Sequence, residues 1–195
     1  MIGKAAMASL DTTHAPIRTE RLLLRPLRTS DAEPLFALFA DWEVIRRLSM
    51  PPWPYTLEDA RSFIRGHGNQ DRGRTAFVIT LADVLIGGID ARMNPANHSQ
   101  RGPGPNLGYW LGRPYWGCGY MTEAARGFLM RVFDVGFGDV VYSGAFADNA
   151  TSLRVQAKLG FERDGETMLY ACPRDAKFPH VNTVLTRARF EGRRR

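Results

Sequence analysis

The feature of this chain that most constrains its fold is an aromatic stretch that leads into a glycine-bracketed turn. The stretch reads Leu-Gly-Tyr-Trp-Leu from Leu107, and the turn reads Trp-Gly-Cys-Gly-Tyr from Trp116. The first part predicts a strand, and the apolar spacing after the turn predicts an amphipathic helix that ends near Val135. A glycine turn at a helix N-terminus presents free backbone N–H groups at the positive end of the helix dipole. Such a terminus favours an anion, usually a phosphate group.

Three interpretations of this turn compete: a dinucleotide-binding motif, a P-loop and a purely structural turn. A dinucleotide fingerprint requires Gly-x-Gly-x-x-Gly, but Thr122 occupies the position of the third glycine. A P-loop requires Gly-Lys-Ser/Thr, but no lysine occurs between Lys4 and Lys158. Both of these nucleotide motifs therefore fail. A purely structural turn remains the alternative to a phosphate site of another kind.

The rest of the chain fits one α/β domain without internal repeats, and 195 residues are enough to bury a sizeable core. Periodicity predicts strands at residues 20–27, 75–81, 84–89, 106–112, 139–146, 161–170 and 181–189. Helices are predicted around 35–39, 41–48, 56–66, 120–135 and 150–159. We expect a flexible leader at 1–16, a single domain at 17–190 and a basic tail at 191–195. The polar loop at 94–105 is the best candidate for a substrate lid.

Charge and composition exclude several classes of protein. The net charge of +6 and a pI of about 9.7 favour anionic partners, although no nucleic-acid-binding motif accompanies the C-terminal arginines. No apolar run approaches the roughly 20 residues that span a bilayer. Cys118 and Cys172 form neither a metal cluster nor a disulfide framework, and the four histidines show no metal spacing. We therefore expect a cytoplasmic protein without a metal.

Three motifs, in order along the chain, resemble the GNAT acyltransferase superfamily and its branch of ribosomal-protein N-terminal acetyltransferase-like enzymes. The first is Thr-Glu-Arg-Leu-Leu-Leu-Arg-Pro-Leu from Thr19, followed by Ser-Asp-Ala from Ser30. The second is the aromatic strand with Tyr-Trp-Gly-Cys-Gly-Tyr-Met-Thr-Glu-Ala from Tyr115. The third is Asn-Ala-Thr-Ser-Leu-Arg-Val from Asn149, with Lys-Leu-Gly-Phe from Lys158.

The resemblance extends from Arg18 to about Ala188 and implies an α/β fold of the GNAT type. This fold has a central mixed, mostly antiparallel sheet of about six to seven strands. Helices flank the sheet, and two strands splay apart at an acyl-CoA cleft. The resemblance thus predicts both the topology of the domain and the place of its site.

The same resemblance implies acetyl-CoA as the acyl donor. Its pyrophosphate would lie on backbone N–H groups of the glycine turn, and its pantetheine arm would follow the edge of the aromatic strand. The N–H of Leu111 would then stabilise negative charge on the thioester oxygen. The implied cofactor-binding residues are Trp110, Leu111, Trp116, Gly117, Cys118, Gly119, Tyr120, Met121, Thr122, Asn149 and Ser152.

For catalysis, the resemblance implies direct attack by a primary amine in a ternary complex, without an enzyme nucleophile. Gln156 stands where the family often has a tyrosine acid, so Ser152 is the candidate acid. Asn106 stands where this branch often has a glutamate, so the base is unassigned, and Asp90 and Glu123 are candidates that would act through water. The alternative for both carboxylates is a solvated position at a strand end or a helix start.

We therefore predict an acetyl-CoA-dependent N-acetyltransferase that acts on a protein N-terminus or a small-molecule amine. The alternative is a non-catalytic acyl-CoA-binding regulator of the same fold, suggested by the replaced acid and base. The expected partners are acetyl-CoA and an amine acceptor, without membrane or nucleic acid, and the family suggests a homodimer. One wall of the acceptor site, or else a helix-on-sheet core, would consist of Trp42, Trp53, Tyr55 and Phe63.

Overall fold

A single sheet organises the computed structural model, which describes residues 15–68, 74–94 and 104–193. Over these residues the sheet has eight strands in the order β1-β2-β3-β4-β5-β6-β8-β7, and only the β5–β6 pair is parallel. The predicted mixed, mostly antiparallel sheet is confirmed, and the additional strand is the two-residue β1. The strands are β1 (Ile17–Arg18), β2 (Leu22–Arg25), β3 (Arg74–Leu81), β4 (Val84–Asn94), β5 (Gly104–Leu111), β6 (Val140–Phe146), β7 (Glu162–Ala171) and β8 (Ala176–Thr186).

Helices cover both faces of this sheet. On one face, α4 contributes Phe128 and Leu129 to a core that includes Phe77. On the other face, Leu35 and Phe39 pack over β3 and β4. Among the described residues, no helix combines the length and apolarity needed to cross a membrane. The helices are α1 (Ala32–Phe39), α2 (Trp42–Ile45), α3 (Leu57–Gly68), α4 (Tyr120–Asp134), α5 (Ala150–Leu159) and α6 (Arg187–Gly192).

Helix α4 has the apolar face that its spacing predicts. Its buried side chains are those of Met121, Ala124, Ala125, Phe128, Leu129, Val132 and Phe133. Burying a large apolar side chain contributes about 1.5–3 kcal/mol, so this face fixes the helix against the sheet. The position of its N-terminus beside the edge of β5 follows from that packing.

Two glycines in β4 allow β5 to approach closely. A Cβ on Gly87 would overlap the carbonyl oxygen of Trp110, and a Cβ on Gly88 would lie 2.7 Å from the Trp110 indole nitrogen. The predicted close approach of another backbone is therefore confirmed. The Trp110 ring covers β4 here and packs against Phe39 on the face of α1.

Strands β5 and β6 separate almost as soon as they meet. Asn106 and Tyr142 form the one backbone pair between them in the described part of the chain. Beyond this pair, Ser143 donates its hydroxyl to the Leu107 carbonyl at 2.9 Å, and the strands then diverge. Among the described residues, the divergence leaves the outer edge of β5 without a neighbouring strand from this point to its end.

The prediction of a final strand at 181–189 is wrong at both ends. Strand β8 begins at Ala176 because a tight turn at Asp175, with φ 47°, returns the chain to β7 at once. Pro179 lies where the β6–β8 ladder ends: its carbonyl still accepts from the Ala147 N–H at 2.8 Å, and its missing N–H cannot continue the pairing beyond this point. Thr186 ends the strand because its side chain accepts from the Arg189 N–H and starts helix α6.

The predicted basic tail begins inside helix α6 rather than after the fold. The Arg189 Nε donates to the Gly160 carbonyl at 2.8 Å, and the Arg193 guanidinium donates to the Ala157 carbonyl at 2.9 Å. Two of the C-terminal arginines therefore satisfy carbonyl groups at the end of α5. Residues 194–195, like most of the predicted leader, lie outside the described residues.

Candidate active site

A cavity of about 290 Å³ opens where β5 and β6 diverge. All of the residues implied as cofactor contacts line it except Cys118, whose side chain faces solvent near the Trp116 carbonyl. Three cations also line the cavity, namely Arg47, Arg154 and Lys158. The structure therefore brings together the glycine turn, the end of β5 and the start of α5, which are distant in sequence.

The glycine turn delivers an open helix N-terminus to this cavity. Gly117 and Gly119 both have φ 79°, in the left-handed region that glycine adopts without strain. Gly119 is the N-cap of α4, and no side chain in the described part of the chain caps the N–H groups of the first turn. A Cβ added to Gly117 would meet no atom within 4 Å. The turn thus offers N–H groups, a dipole end and free space in one place.

The edge of β5 faces the same cavity. The Gly112 N–H donates to the Ile86 carbonyl on β4 at 2.9 Å, so the backbone groups of the preceding residue, Leu111, point the other way. The Leu111 carbonyl accepts from the Trp116 indole N–H at 2.8 Å on that side. The Leu111 N–H is therefore directed into the gap that β6 leaves.

One wall of the cavity forms where the Tyr109 side chain of β5 meets Ser152 of α5. The Tyr109 hydroxyl lies 3.0 Å from the Ser152 hydroxyl and 3.2 Å from the Ser152 carbonyl oxygen. The Gln156 side-chain amide donates to Ser152 Oγ at 3.3 Å and to the Gly144 carbonyl at 3.1 Å. The Thr183 hydroxyl donates to the side-chain oxygen (Oε1) of Gln156 at 2.7 Å, and this bond fixes the orientation of the side-chain amide.

Asn149 joins this wall to the opposite rim. Its side-chain oxygen accepts from the Ser152 N–H at 3.2 Å and so caps helix α5, as its sequence position predicts. The same oxygen accepts from the Arg47 guanidinium at 3.4 Å. Arg47 also lies 5.1 Å from the centre of the Trp116 ring. Sequence reasoning did not find Arg47, because no local pattern links the end of α2 to α5.

Comparison with known proteins identifies the fold and the family. The acetyltransferase (GNAT) domain family matches residues 21–162 of the chain. The chain belongs to this family.

Curated relatives agree with the family assignment. The uncharacterized N-acetyltransferase YoaA of Bacillus subtilis (strain 168) is 29% identical over 162 residues, which is 79% of this chain and 86% of the relative. The uncharacterized N-acetyltransferase p20 of Bacillus licheniformis is 26% identical over 159 residues, which is 75% of this chain and 82% of the relative. The prediction of an N-acetyltransferase is therefore confirmed.

Solved structures share the fold of this GNAT protein. A GNAT-family acetyltransferase from Bacillus anthracis aligns with a TM-score of 0.75 at 22% identity, over 89% of this chain and 99% of its own. RimL, a ribosomal L7/L12 alpha-N-protein acetyltransferase in complex with coenzyme A, aligns with a TM-score of 0.75 at 18% identity, over 88% and 98%. The ribosomal-protein-S5-alanine acetyltransferase of Vibrio fischeri aligns with a TM-score of 0.73 at 20% identity, over 89% and 97%.

Behind the GNAT glycine turn lies an ion pair that sequence reasoning missed. Arg21 binds Glu123 at 2.7 Å, donates to the Cys118 carbonyl at 3.1 Å and lies over the Tyr120 ring. Burial raises the pKa of Glu123, but hydrogen bonds from Thr19 and Arg21 outweigh this effect and lower it below its ordinary value. Glu123 therefore holds the turn in place, and its carboxylate is not directed at the cavity as a base.

The other candidate base, Asp90, is also engaged elsewhere. Its carboxylate pairs with Arg74 at 3.0 Å and lies against Gly108 of β5. Burial raises the pKa of Asp90, and Arg74 opposes that shift. Among the described residues, no carboxylate lines the cavity.

The four aromatic residues predicted as an acceptor wall divide into two groups. Tyr55 is buried and belongs to the core, where its ring is tilted against that of Phe39 with centres 4.8 Å apart. Burial raises the pKa of Tyr55 to about 12. Trp42 and Trp53 pack against each other at 5.1 Å, and each remains about two-fifths exposed. Phe63 on α3 is also partly exposed.

Some sequence-based expectations cannot be placed. Most of the predicted lid at 94–105 lies outside the described residues, as do His14, His98 and the side chain of His67. Within the described ranges, no group of three or more histidine, cysteine, aspartate or glutamate residues could hold a metal ion.

Proposed function

We propose that this protein transfers the acetyl group of acetyl-CoA to a primary amine in the cleft between β5 and β6. One observation carries the proposal: an uncapped helix N-terminus and an unpaired strand edge line the same cavity. The first is suited to a pyrophosphate and the second to an extended amide chain. One molecule of CoA carries both groups, because its pyrophosphate is joined to the extended, amide-containing pantetheine arm.

The pyrophosphate would bind to backbone N–H groups between Trp116 and Thr122. The helix dipole contributes about 0.3–1 kcal/mol for each well-placed charge at an exposed terminus. Arg154 and Lys158 also line the cavity and add positive charge. Charge attraction of this kind weakens with added salt.

The pantetheine arm would extend along the outer edge of β5 towards Leu111. There the Leu111 N–H would donate to the thioester oxygen as negative charge develops on it. Loss of one such donor typically slows an acyl transfer by about 10²–10³-fold. The side chain of Asn149 would contact an amide of the pantetheine arm from the other rim.

The amine would attack the thioester carbonyl directly, forming the C–N bond as the C–S bond breaks. Holding both reactants in one cleft supplies much of the acceleration. The amine would lose its proton to solvent at the cavity mouth, because no described carboxylate lines the cavity. A hydroxyl of the Tyr109–Ser152 wall would protonate the leaving sulfur.

The acceptor we propose is a primary amine, either a protein N-terminus or a small molecule. RimL and the S5-alanine acetyltransferase carry names of ribosomal-protein acetyltransferases, which supports including peptide acceptors in a screen. A homodimer and a cytoplasmic location stay predictions.

The test is a screen of amine acceptors that follows CoA release from acetyl-CoA. The panel contains N-terminal peptides, amino acids, polyamines and aminoglycosides, and mass spectrometry identifies the acetylated product. We expect release that depends on at least one amine. Tight acetyl-CoA binding without release across the whole panel would instead favour the non-catalytic regulator.

A further inference from the structure

The side chain of Tyr109 extends from a central strand, and its hydroxyl contacts a helix on the other side of the cavity. Tyr109 lies on β5, two residues before Leu111, and its side chain lines the same cavity. Its hydroxyl reaches across to the first turns of α5 and contacts both the hydroxyl and the carbonyl oxygen of Ser152. A phenol therefore stands in the wall of the cleft, near the backbone that faces the thioester in the proposed function.

We propose that Tyr109 is the general acid of the acetyl transfer and that it protonates the sulfur of CoA. This inference rests on the proposed function and deepens it. When the amine forms its bond to the carbonyl carbon, the electrons of the C–S bond pass to sulfur. Sulfur takes the proton of the Tyr109 hydroxyl, and the phenolate recovers a proton, through solvent, from the nitrogen that has become positively charged. The net products are the acetylated amine and the free thiol.

The chemistry of the neighbouring groups favours the phenol over the other candidates. Tyrosine ordinarily has a pKa of about 10 and an alkyl thiol such as cysteine about 8.5. Burial raises the pKa of both kinds of acid, so proton transfer from the phenol to the thiolate in one buried cleft is not strongly uphill. An aliphatic hydroxyl such as that of Ser152 is a far weaker acid. The Gln156 amide holds no transferable proton, and its orientation is fixed by Thr183.

The protonation state of Tyr109 is suitable for an acid at neutral pH. Burial raises the pKa of Tyr109, and hydrogen bonds to Ser152 and Gln156 oppose that shift. The groups bonded to its hydroxyl are neutral, while Arg154 and Lys158 supply positive charge from α5 on the same cavity. The phenol is thus protonated before the reaction, and the phenolate forms near positive charge.

Ser152, the acid predicted from sequence, then becomes the residue that positions the phenol. Its oxygen accepts from Gln156 at 3.3 Å, and its hydroxyl and carbonyl together hold the Tyr109 hydroxyl. The two roles predict different sizes of effect. Loss of the phenol removes the proton donor, whereas loss of the serine hydroxyl leaves the donor present but less well oriented.

The first experiment compares Tyr109→Phe, Ser152→Ala and Tyr170→Phe with the wild-type enzyme. Tyr170 is the control because it is exposed on β7 and pairs with Asp175, outside the cavity. We expect Tyr109→Phe to lower kcat at least tenfold and to leave the calorimetric Kd for acetyl-CoA within about twofold, since general acids contribute about 10²–10⁴-fold. Ser152→Ala should lower kcat less, and Tyr170→Phe should leave it unchanged.

A second experiment keeps the hydroxyl and changes only its acidity. Replacement of Tyr109 by 3,5-difluorotyrosine lowers the phenol pKa with little change in shape. We expect the alkaline limb of the kcat profile to move to lower pH by about the same amount, which a packing role would not cause. An unmoved limb, wild-type kcat in Tyr109→Phe, or a larger loss in Ser152→Ala would each overturn the inference while leaving the proposed function intact. Absence of turnover in the wild type itself would overturn the proposed function and the inference with it.

Discussion

The indole N–H of Trp116 donates to the carbonyl oxygen of Leu111 at 2.8 Å. This bond joins the glycine turn to the end of β5. The same strand end carries the Leu111 N–H that is directed into the cavity. The two parts of the proposed donor site, one for the pyrophosphate and one for the thioester, are therefore held together by one side chain.

Breaking this bond should loosen both parts of the donor site. Trp116→Phe keeps an aromatic ring but removes the donor, and a hydrogen bond of this kind contributes about 0.5–1.5 kcal/mol. We expect the Kd for acetyl-CoA, measured by calorimetry, to rise about 2- to 10-fold, with a further loss in kcat. Equal affinity and equal kcat in this variant would show that the turn and the strand end hold their positions without the bond.

A negative charge in the glycine turn should abolish donor binding. We expect Gly117→Asp to remove measurable acetyl-CoA affinity, because the carboxylate would stand against the pyrophosphate. Gly136→Asp is a matched control, since Gly136 also has a positive φ, 67°, and open space around its Cα, but lies after the other end of α4. Both changes add one carboxylate and a similar backbone strain of about 1–2 kcal/mol. The two variants therefore differ in whether the added charge faces the pyrophosphate. Equal acetyl-CoA affinity in the two variants would contradict our placement of the pyrophosphate.

The two roles of Asn149 should be separable. Serine is as good an N-cap as asparagine, so Asn149→Ser should change the free energy of unfolding by only a few tenths of a kcal/mol. The shorter side chain cannot reach both Arg47 and the pantetheine arm, so we expect a several-fold higher Kd for acetyl-CoA. Asn149→Ala should lower stability as well, by about 1 kcal/mol. If Asn149→Ser has both the stability and the acetyl-CoA affinity of the wild type, Asn149 acts only as a helix cap.

The Glu123 carboxylate should make stability depend on pH in the acidic range. Its pKa is lowered in the folded state, so its contribution is fully present above the ordinary glutamate pKa of about 4.3. That contribution is lost as the pH falls through the lower, folded-state pKa. We expect Glu123→Gln to lower Tm by a few degrees at pH 7 and to match the wild type at strongly acidic pH. Glu166→Gln, on the exposed strand β7, should change Tm little at any pH.

Local patterns in the sequence were sufficient for most of the fold. The two-residue connection at Ala82 and Asp83 is a hairpin turn, and both residues have positive φ as a tight hairpin requires. The buried face of α4 and the Asn149 cap also follow from spacing alone. These features depend on neighbouring residues, so a single stretch of sequence contains the information.

Features that depend on distant contacts could not be predicted in this way. Arg21 reaches the glycine turn from nearly a hundred residues away, and Arg47 reaches Asn149 across a similar distance. The assignment of Tyr109 to the cavity depends on where α5 lies over β5. The end of β8 was misplaced because a Thr186 cap and the burial of Phe190 override a continuous strand pattern. Tertiary packing, rather than local propensity, decides each of these cases.

Initial-velocity kinetics with acetyl-CoA and an amine acceptor varied together test direct acetyl transfer in the cleft between β5 and β6. Direct attack in one cleft requires both substrates to be bound at once, so we predict double-reciprocal lines that intersect and an acetylated product equal in amount to the CoA released. The Gly117→Asp variant should show no amine-dependent release under the same conditions. Parallel lines would contradict direct transfer, because they would indicate an acetylated enzyme intermediate.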